Sequence, residues 1–342
     1  MHLRRRPGNY ARPDMDVGTF CAQSHVLVVA GKGGVGKTTM TAALAKMAAG
    51  VGRSVLIVEL EGKSGIAAAF GRHGDLDYEE VLLAPAGAGG PAGPTGSVRA
   101  RRLTPDDALV EYLEDHGLKR VSKRLARSGV LDVVSTAIPG IRDVLVLGKV
   151  KQLEREGAAD LILVDAPATG HAITFLTSAS GMVSAARGGP LRTQAQDVVE
   201  LLNDPARCRV ILVTLPEELP VSETIESAYT LEDKAGVQLG PVIVNACDPE
   251  PIGLERPAAE VAAAAGVSLA ADHLAALEEA RSFRLARHAV SVEQIERLRR
   301  DLPLPHLLVP ALDAASIGPA QTQELADALA GAVTMLVPEG AG

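Results

Sequence analysis

The stretch His25-Val-Leu-Val-Val-Ala-Gly31-Lys32-Gly33-Gly34-Val35-Gly36-Lys37-Thr38-Thr39 constrains this chain more than any other. An apolar, β-branched run stops at Gly31, and the helix-forming segment Met40–Ala49 follows Thr39. Strand, glycine-rich turn and helix in this order are the context that a Walker A phosphate loop requires. Glycines at 31, 33, 34 and 36 let the backbone turn its N–H groups inward toward phosphate oxygens, and the helix that follows aims its positive end at the same charge. The predicted nucleotide (ATP/ADP) contacts are therefore Gly33, Gly34, Val35, Gly36, Lys37, Thr38 and Thr39. Lys37 supplies a point charge for the outer phosphates, and Thr38 a hydroxyl for Mg²⁺.

A chain of 342 residues is long enough to bury a core as one large α/β domain or two modest ones. With 42 acidic against 34 basic residues the net charge is −8, which disfavours non-specific nucleic-acid binding. The three cysteines, Cys21, Cys208 and Cys247, form no CxxC or zinc pattern, so a reducing, cytoplasmic location is expected. No apolar run approaches a membrane span. Residues 1–22, with Arg4-Arg5-Arg6 and two prolines but no apolar core segment, read as a flexible leader.

Arg53-Ser-Val-Leu-Ile-Val-Glu59 reads as a second buried strand. It runs into Glu59-Leu-Glu61-Gly62-Lys63-Ser64, at the strand end where α/β sheets hold ligands. A carboxylate here can orient or deprotonate water, or can simply be an acidic strand end. Residues 84–97 are rich in Gly, Ala and Pro and are expected to be a flexible tract that cannot pack. Val98–Leu103 alternates like a strand exposed on one face. Thr104-Pro105-Asp106-Asp107 has the cap, proline and acids of a helix start. Helical patterning continues to about 156, with Leu118, Val121 and Leu125 on one face and Ile141, Val144, Leu145 and Leu153 on another. This block is either a helical subdomain inserted into the sheet domain or a cover for one sheet face.

Asp160-Leu-Ile-Leu-Val-Asp165 is an aliphatic strand ending in aspartate, a Walker B pattern in which Asp165 can support the Mg²⁺ shell. Cys208–Thr214, Gly240–Asn245 and Leu304–Pro310 read as further strands, and Gln321–Ala330 as an acidic terminal helix. Cys208 opens one strand and Cys247 follows another, so the two thiols should lie about 20 Å apart at roughly 3.3 Å per residue. That spacing does not suit a thiolate-based metalloid site.

The early lysine in GKGGVGKTT, together with Asp165-Ala-Pro-Ala-Thr-Gly-His171, resembles the ArsA/Get3-type anion-transporting ATPases of the deviant Walker A group. The Glu61-Gly62 loop together with Gly140-Ile-Arg-Asp-Val-Leu-Val-Leu-Gly-Lys149 resembles the actinobacterial paralogues of that family. The resemblance runs from about 25 to 315. It implies a doubly wound, mostly parallel P-loop NTPase sheet over 23–315 with a helical insertion at 104–156, and a C-terminal helix and tail at 316–342. In the family the insertion is the client-facing surface.

The resemblance further implies that Lys32 reaches across a dimer to the partner's phosphates, that Glu61 stands at the place of the water-activating aspartate, and that Asn245 and Pro310 contact the base. His171 would belong to a switch that senses the γ-phosphate, or is a capping or surface histidine. Three functions stay open: a dimeric Mg-ATPase switch coupled to an unidentified protein client; a weakly hydrolysing regulatory subunit paired with a paralogous ATPase, favoured by Glu61-Gly62-Lys63 where the family has an aspartate loop; and a MinD/ParA-like surface switch, disfavoured by the acidic tail.

Overall fold

The computed structural model describes residues 16–60, 65–90, 93–115, 117 and 140–336. Its elements are helix α1 (Val17–Cys21), strand β1 (Val26–Gly31), α2 (Lys37–Gly50), β2 (Val55–Glu59), α3 (Gly65–Ala69), β3 (Val81–Ala84), β4 (Gly87–Gly90), β5 (Gly93–Thr95), β6 (Val98–Arg102) and α4 (Pro105–Asp115). The chain continues through α5 (Ile141–Arg155), β7 (Leu161–Ala168), α6 (Thr169–Ala185), α7 (Pro190–Asn203), β8 (Cys208–Thr214), α8 (Glu218–Ala235), β9 (Val242–Cys247), α9 (Ala258–Ala264), α10 (Ala271–Asp301), β10 (His306–Pro310) and α11 (Pro319–Thr334).

Eight strands form one sheet in the order β10-β9-β8-β1-β7-β2-β6-β3. Every pairing is parallel except β3 with β6. Period-two geometry sends alternate residues of each strand to opposite faces, and both faces are covered. Val26, Val28 and Ala30 of β1 pack with Leu56, Ile162 and Val210 beneath α5, α6, α7 and α8. Leu27 and Val29 pack with Ile57, Leu163 and Ile211 beneath α1, α2 and α11. That is why these strands read as unbroken apolar runs and not as alternating ones. With no Trp and only four Phe, the core is aliphatic, and each fully buried Leu or Ile contributes about 1.5–3 kcal/mol. The chain leaves β1 through α2 to β2 on one side and, after β7 fills the place between β1 and β2, crosses to β8 on the other side, so β1 lies beside the reversal of strand order where such sheets bind ligands.

Three expectations from the sequence change here, and one open alternative narrows. Residues 16–22 are not part of a flexible leader: Asp16 Oδ1 accepts the Thr19 N–H and starts α1, whose Phe20 and Cys21 are buried. The tract at 84–97 is not unstructured along its length, because β4 and β5 pair as an antiparallel ribbon and Gly96 N–H donates to Ala49 O at 2.8 Å. Strand β6 is not exposed on one face, since β3 folds back along it and its arginines find cover. Arg99 pairs with Glu80 at 2.5 Å, and Arg101 stacks 4.3 Å over the Tyr78 ring. Counting arginines as solvated hides this arrangement, because their long stems bury readily. For 104–156, which the sequence left open between an inserted subdomain and a sheet cover, the described part narrows the choice. Thr104 does cap α4, accepting the Asp107 N–H, but Ile141, Val144, Leu145 and Leu153 of α5 are buried in the same cluster as Val26, Leu56 and Ile162. Helix α5 is therefore the sheet-covering crossover that leads into β7. Leu118, Val121 and Leu125 lie outside the described residues. The N-terminal half of α10, by contrast, buries none of its residues before Ser291 and exposes Leu277, Phe283 and Val290.

His306, at the start of β10, has a buried Nε2 without a hydrogen-bond partner among the described residues. Burial, helped by the charge of Arg299, pulls its pKa from 6.5 down to about 4. A folded-state pKa below the unfolded one means that protonation favours unfolding. Stability from this site is thus full above pH 6.5 and is lost as pH falls toward 4, by at most about 3 kcal/mol. Urea unfolding of the wild type and His306→Leu at pH 7.5 and 4.5 should show a smaller acid loss in the variant.

Candidate nucleotide site

The residues that follow β1 build a phosphate cradle. Gly31 closes the strand where no side chain fits: a Cβ would stand 2.3 Å from the Val213 carbonyl oxygen of β8. Gly36 holds φ at +90° as the residue before α2, and a Cβ there would stand 2.4 Å from Asn245 Nδ2. Between them Gly33 and Gly34 are exposed while Val35 is buried and anchors the loop. Helix α2 begins at Lys37, so its positive end faces the loop. Lys37 Nζ donates to Lys32 O at 3.1 Å, folding the side chain over the loop it serves.

Two sequence-predicted metal residues, 127 positions apart, meet beneath this loop. Thr38 Oγ1 donates to Asp165 Oδ2 at 2.7 Å. Asp165 is 7% exposed, and Thr41 Oγ1, which donates to Lys37 O at 3.0 Å, sits 3.4 Å from its other oxygen. Sheet register explains the meeting: Asp165 pairs with Val29 of β1 on one side and with Glu59 of β2 on the other. Glu59 is 1% exposed. Glu61 lies outside the described residues. Thr39 is half-buried in the first turn of α2.

The other candidates lie on neighbouring elements. Lys32 is half-exposed and its ammonium pairs with Glu223 on α8 of the same chain. The Asn245 amide donates to Val35 O. Pro310 is exposed at the end of β10, in register with Cys247. His171 is exposed in the first turn of α6 and its charge acts on Asp143 of α5, whose carboxyl is raised chiefly by burial. Sequence reasoning missed Glu223 and Thr41. Only Thr41 left a trace, since it stands four residues after Lys37 on one helix face.

Burial pushes the thiols of Cys21 and Cys208 up to about 12 and that of Cys247 up to about 11. They are far from the thiolate state that ligates soft metals. Among the described residues no group of three or more His, Cys, Asp or Glu side chains could hold a metal ion by itself. Mg²⁺ needs no such cage, because it is held by one or two protein oxygens, phosphates and water, and the Thr38–Asp165 pair fits that requirement. No helix among the described residues is long and apolar enough to cross a membrane.

A glycine loop between the central strand and its helix, a lysine folded over it and a hydroxyl–carboxylate pair below define the phosphate site of a P-loop nucleoside triphosphatase. The chain belongs to the CobQ/CobB/MinD/ParA nucleotide-binding domain family, whose model matches residues 26–305. It is 36% identical over 328 residues to the ATPase BagA of Mycobacterium tuberculosis, covering 89% of this chain and 92% of that one. It is 28% identical over 223 residues to the arsenical pump-driving ATPase of Escherichia coli, covering 64% of this chain and 34% of that one. To the ATPase get3 of Schizosaccharomyces japonicus it is 29% identical over 178 residues, covering 49% of this chain and 50% of its relative. It is thus a P-loop ATPase of the CobQ/MinD/ParA class with ArsA/Get3-like relatives.

Proposed function

We propose that this chain is a Mg-ATP-dependent ATPase that works as a dimeric nucleotide switch, coupling hydrolysis to a client or partner protein in the cytoplasm. The observation that carries the ATPase reading is the 2.7 Å Thr38–Asp165 hydrogen bond directly under the P-loop. In this reading the loop amides and Lys37 bind the phosphates of ATP or ADP, and Thr38, with Asp165 behind it, holds Mg²⁺. When bound, the ion neutralises phosphate charge. Glu61 is the candidate for orienting water, and Asn245 and Pro310 are the candidates at the base.

The dimeric part rests on Lys32. Its only ion pair among the described residues, with Glu223, involves a lysine side chain 48% exposed. A pair of this kind is worth no more than about 1 kcal/mol, so phosphate charge on a second subunit can displace it. A homodimer or a heterodimer with a paralogous ATPase satisfies this equally.

Turnover with excess Mg²⁺ and mass in solution, recorded with and without ATP, test the proposal. The wild type should hydrolyse ATP and dimerise with it, whereas Lys32→Ala should still bind ATP but lose dimer and turnover by tenfold or more. Glu223→Gln, which frees Lys32, should shift dimerisation to lower protein concentration by up to about fivefold. Tight ATP binding by a monomer without turnover would overturn the self-sufficient switch. It would favour a regulatory subunit that depends on a paralogue, the reading suggested by Glu61-Gly62-Lys63. The MinD/ParA-like surface switch has less support, since α11 carries Glu324 and Asp327 and no basic residue.

A further inference from the structure

Asn245 ends the apolar part of β9, two strands away from β1 in the sheet, yet its side chain reaches the phosphate loop. Its Nδ2 donates to Val35 O at 2.9 Å while its Oδ1 accepts the Ala246 N–H at 2.8 Å. A backbone carbonyl on one side and a backbone N–H on the other leave the amide a single orientation that satisfies both. We infer that Asn245 is a positioning residue for the phosphate cradle, fixing the Val35–Gly36 peptide plane so that the Gly36 N–H faces the phosphates.

The step from contact to role is geometric. In a planar trans peptide the C=O and the following N–H point in opposite directions. Anchoring the Val35 carbonyl on Asn245 therefore fixes the Gly36 N–H on the opposite side of that peptide, away from Asn245. Gly36 could otherwise rotate freely, because glycine populates both signs of φ. The fit is mutual, since a Cβ on Gly36 would stand 2.4 Å from Asn245 Nδ2. Only a glycine lets the amide come this close.

Backbone strain sits at the same spot. Ala246 has φ +53°, and among the described residues it is the one non-glycine in the left-handed region. Holding an L-residue there costs about 1–2 kcal/mol, and such outliers cluster where surrounding structure enforces a functional geometry. Ala246 also carries the N–H that locks Asn245 Oδ1. The strained residue and the loop anchor thus belong to one connected element, running from β9 to the cradle.

This inference rests on the reading of the loop as a phosphate site, and it differs from a role of Asn245 in contacting the base. A ligand without a base separates the two. Isothermal titration with Mg²⁺ and either inorganic tripolyphosphate or ATP would be run on the wild type and on Asn245→Ala. The expected result is that the variant loses affinity for both ligands by the same factor, about five- to thirtyfold for one hydrogen bond. Loss of ATP affinity with tripolyphosphate binding unchanged would overturn the inference and leave a base contact alone. Unchanged binding of both ligands would overturn it as well. Failure of the wild type to bind tripolyphosphate would instead count against the phosphate-site reading itself. Thermal unfolding without ligand checks the fold of the variant. Asn245→Ser, whose hydroxyl is too short to span the contact to Val35 O, repeats the measurement should the alanine variant fold poorly.

Discussion

Lys37→Ala and Asp165→Asn should each lower ATP turnover by about 10²–10³-fold or more, the usual cost of removing a preorganised electrostatic group from a reacting centre. The two losses should differ in kind. Lys37 lies over the loop and donates to Lys32 O, so its removal takes away charge that faces the phosphates, and ATP affinity should fall together with turnover. Asp165 is buried under the loop, in register beside the buried Glu59. Burial of two acidic side chains on adjacent strands disfavours the charged form of each. Asn at 165 keeps the size and still offers an oxygen to the Thr38 hydroxyl. The ligand-free protein should therefore melt no lower than the wild type, and turnover should be lost all the same. Differential scanning fluorimetry without nucleotide, set beside steady-state hydrolysis, reads both. A melting point several degrees below the wild type would show that Asp165 is held for stability and not at the expense of it.

Gly31→Ala should produce the largest loss of stability of any single methyl added to the loop. The new Cβ would meet the Val213 carbonyl oxygen at 2.3 Å and the Val35 side chain at 3.1 Å. The nearer obstacle is backbone, and it belongs to β8, which pairs with β1 along its whole length from Val26 to Gly31. Relief requires the two central strands to part at their C-terminal ends, where the cradle begins. A cost of roughly 3 kcal/mol follows from overpacking at a site that cannot yield. Nucleotide affinity should drop with it. Gly33→Ala is the control: nothing lies within 4 Å of its Cβ position, and urea midpoints should place it close to the wild type. Equal midpoints for the two variants would refute the account.

Contact range separates what was legible in the sequence from what was not. The loop from Gly31 to Thr39 was legible because every requirement on it is local: apolar strand, glycines, lysine, hydroxyl and helix follow one another in the chain. The aliphatic strands were legible because burial on both faces leaves no polar positions. Strand β6 was misjudged for the converse reason. Its arginines look solvated in one dimension and are covered only once β3 returns antiparallel with Tyr78 and Glu80. The tract before it looked unable to pack because it lacks side chains to bury, yet β4 and β5 pair backbone to backbone and the Gly96 N–H is anchored on Ala49 O. The block at 104–156 stayed open between an inserted subdomain and a sheet cover, because both demand the same apolar stripe.

By itself, then, the sequence determined the phosphate loop, the two-sided character of the sheet and the class of chemistry, because those depend on residues within about fifteen positions of one another. The tertiary structure alone decided which distant groups serve that loop. Sheet order brings Asp165 under Thr38, a helix 191 positions onward offers Glu223 to Lys32, and β9 delivers Asn245 to Val35 O across 210 positions. The physical reason is that a hydrogen bond between remote segments leaves no periodic trace in either segment. Its partners are set by strand register, which only the assembled sheet defines.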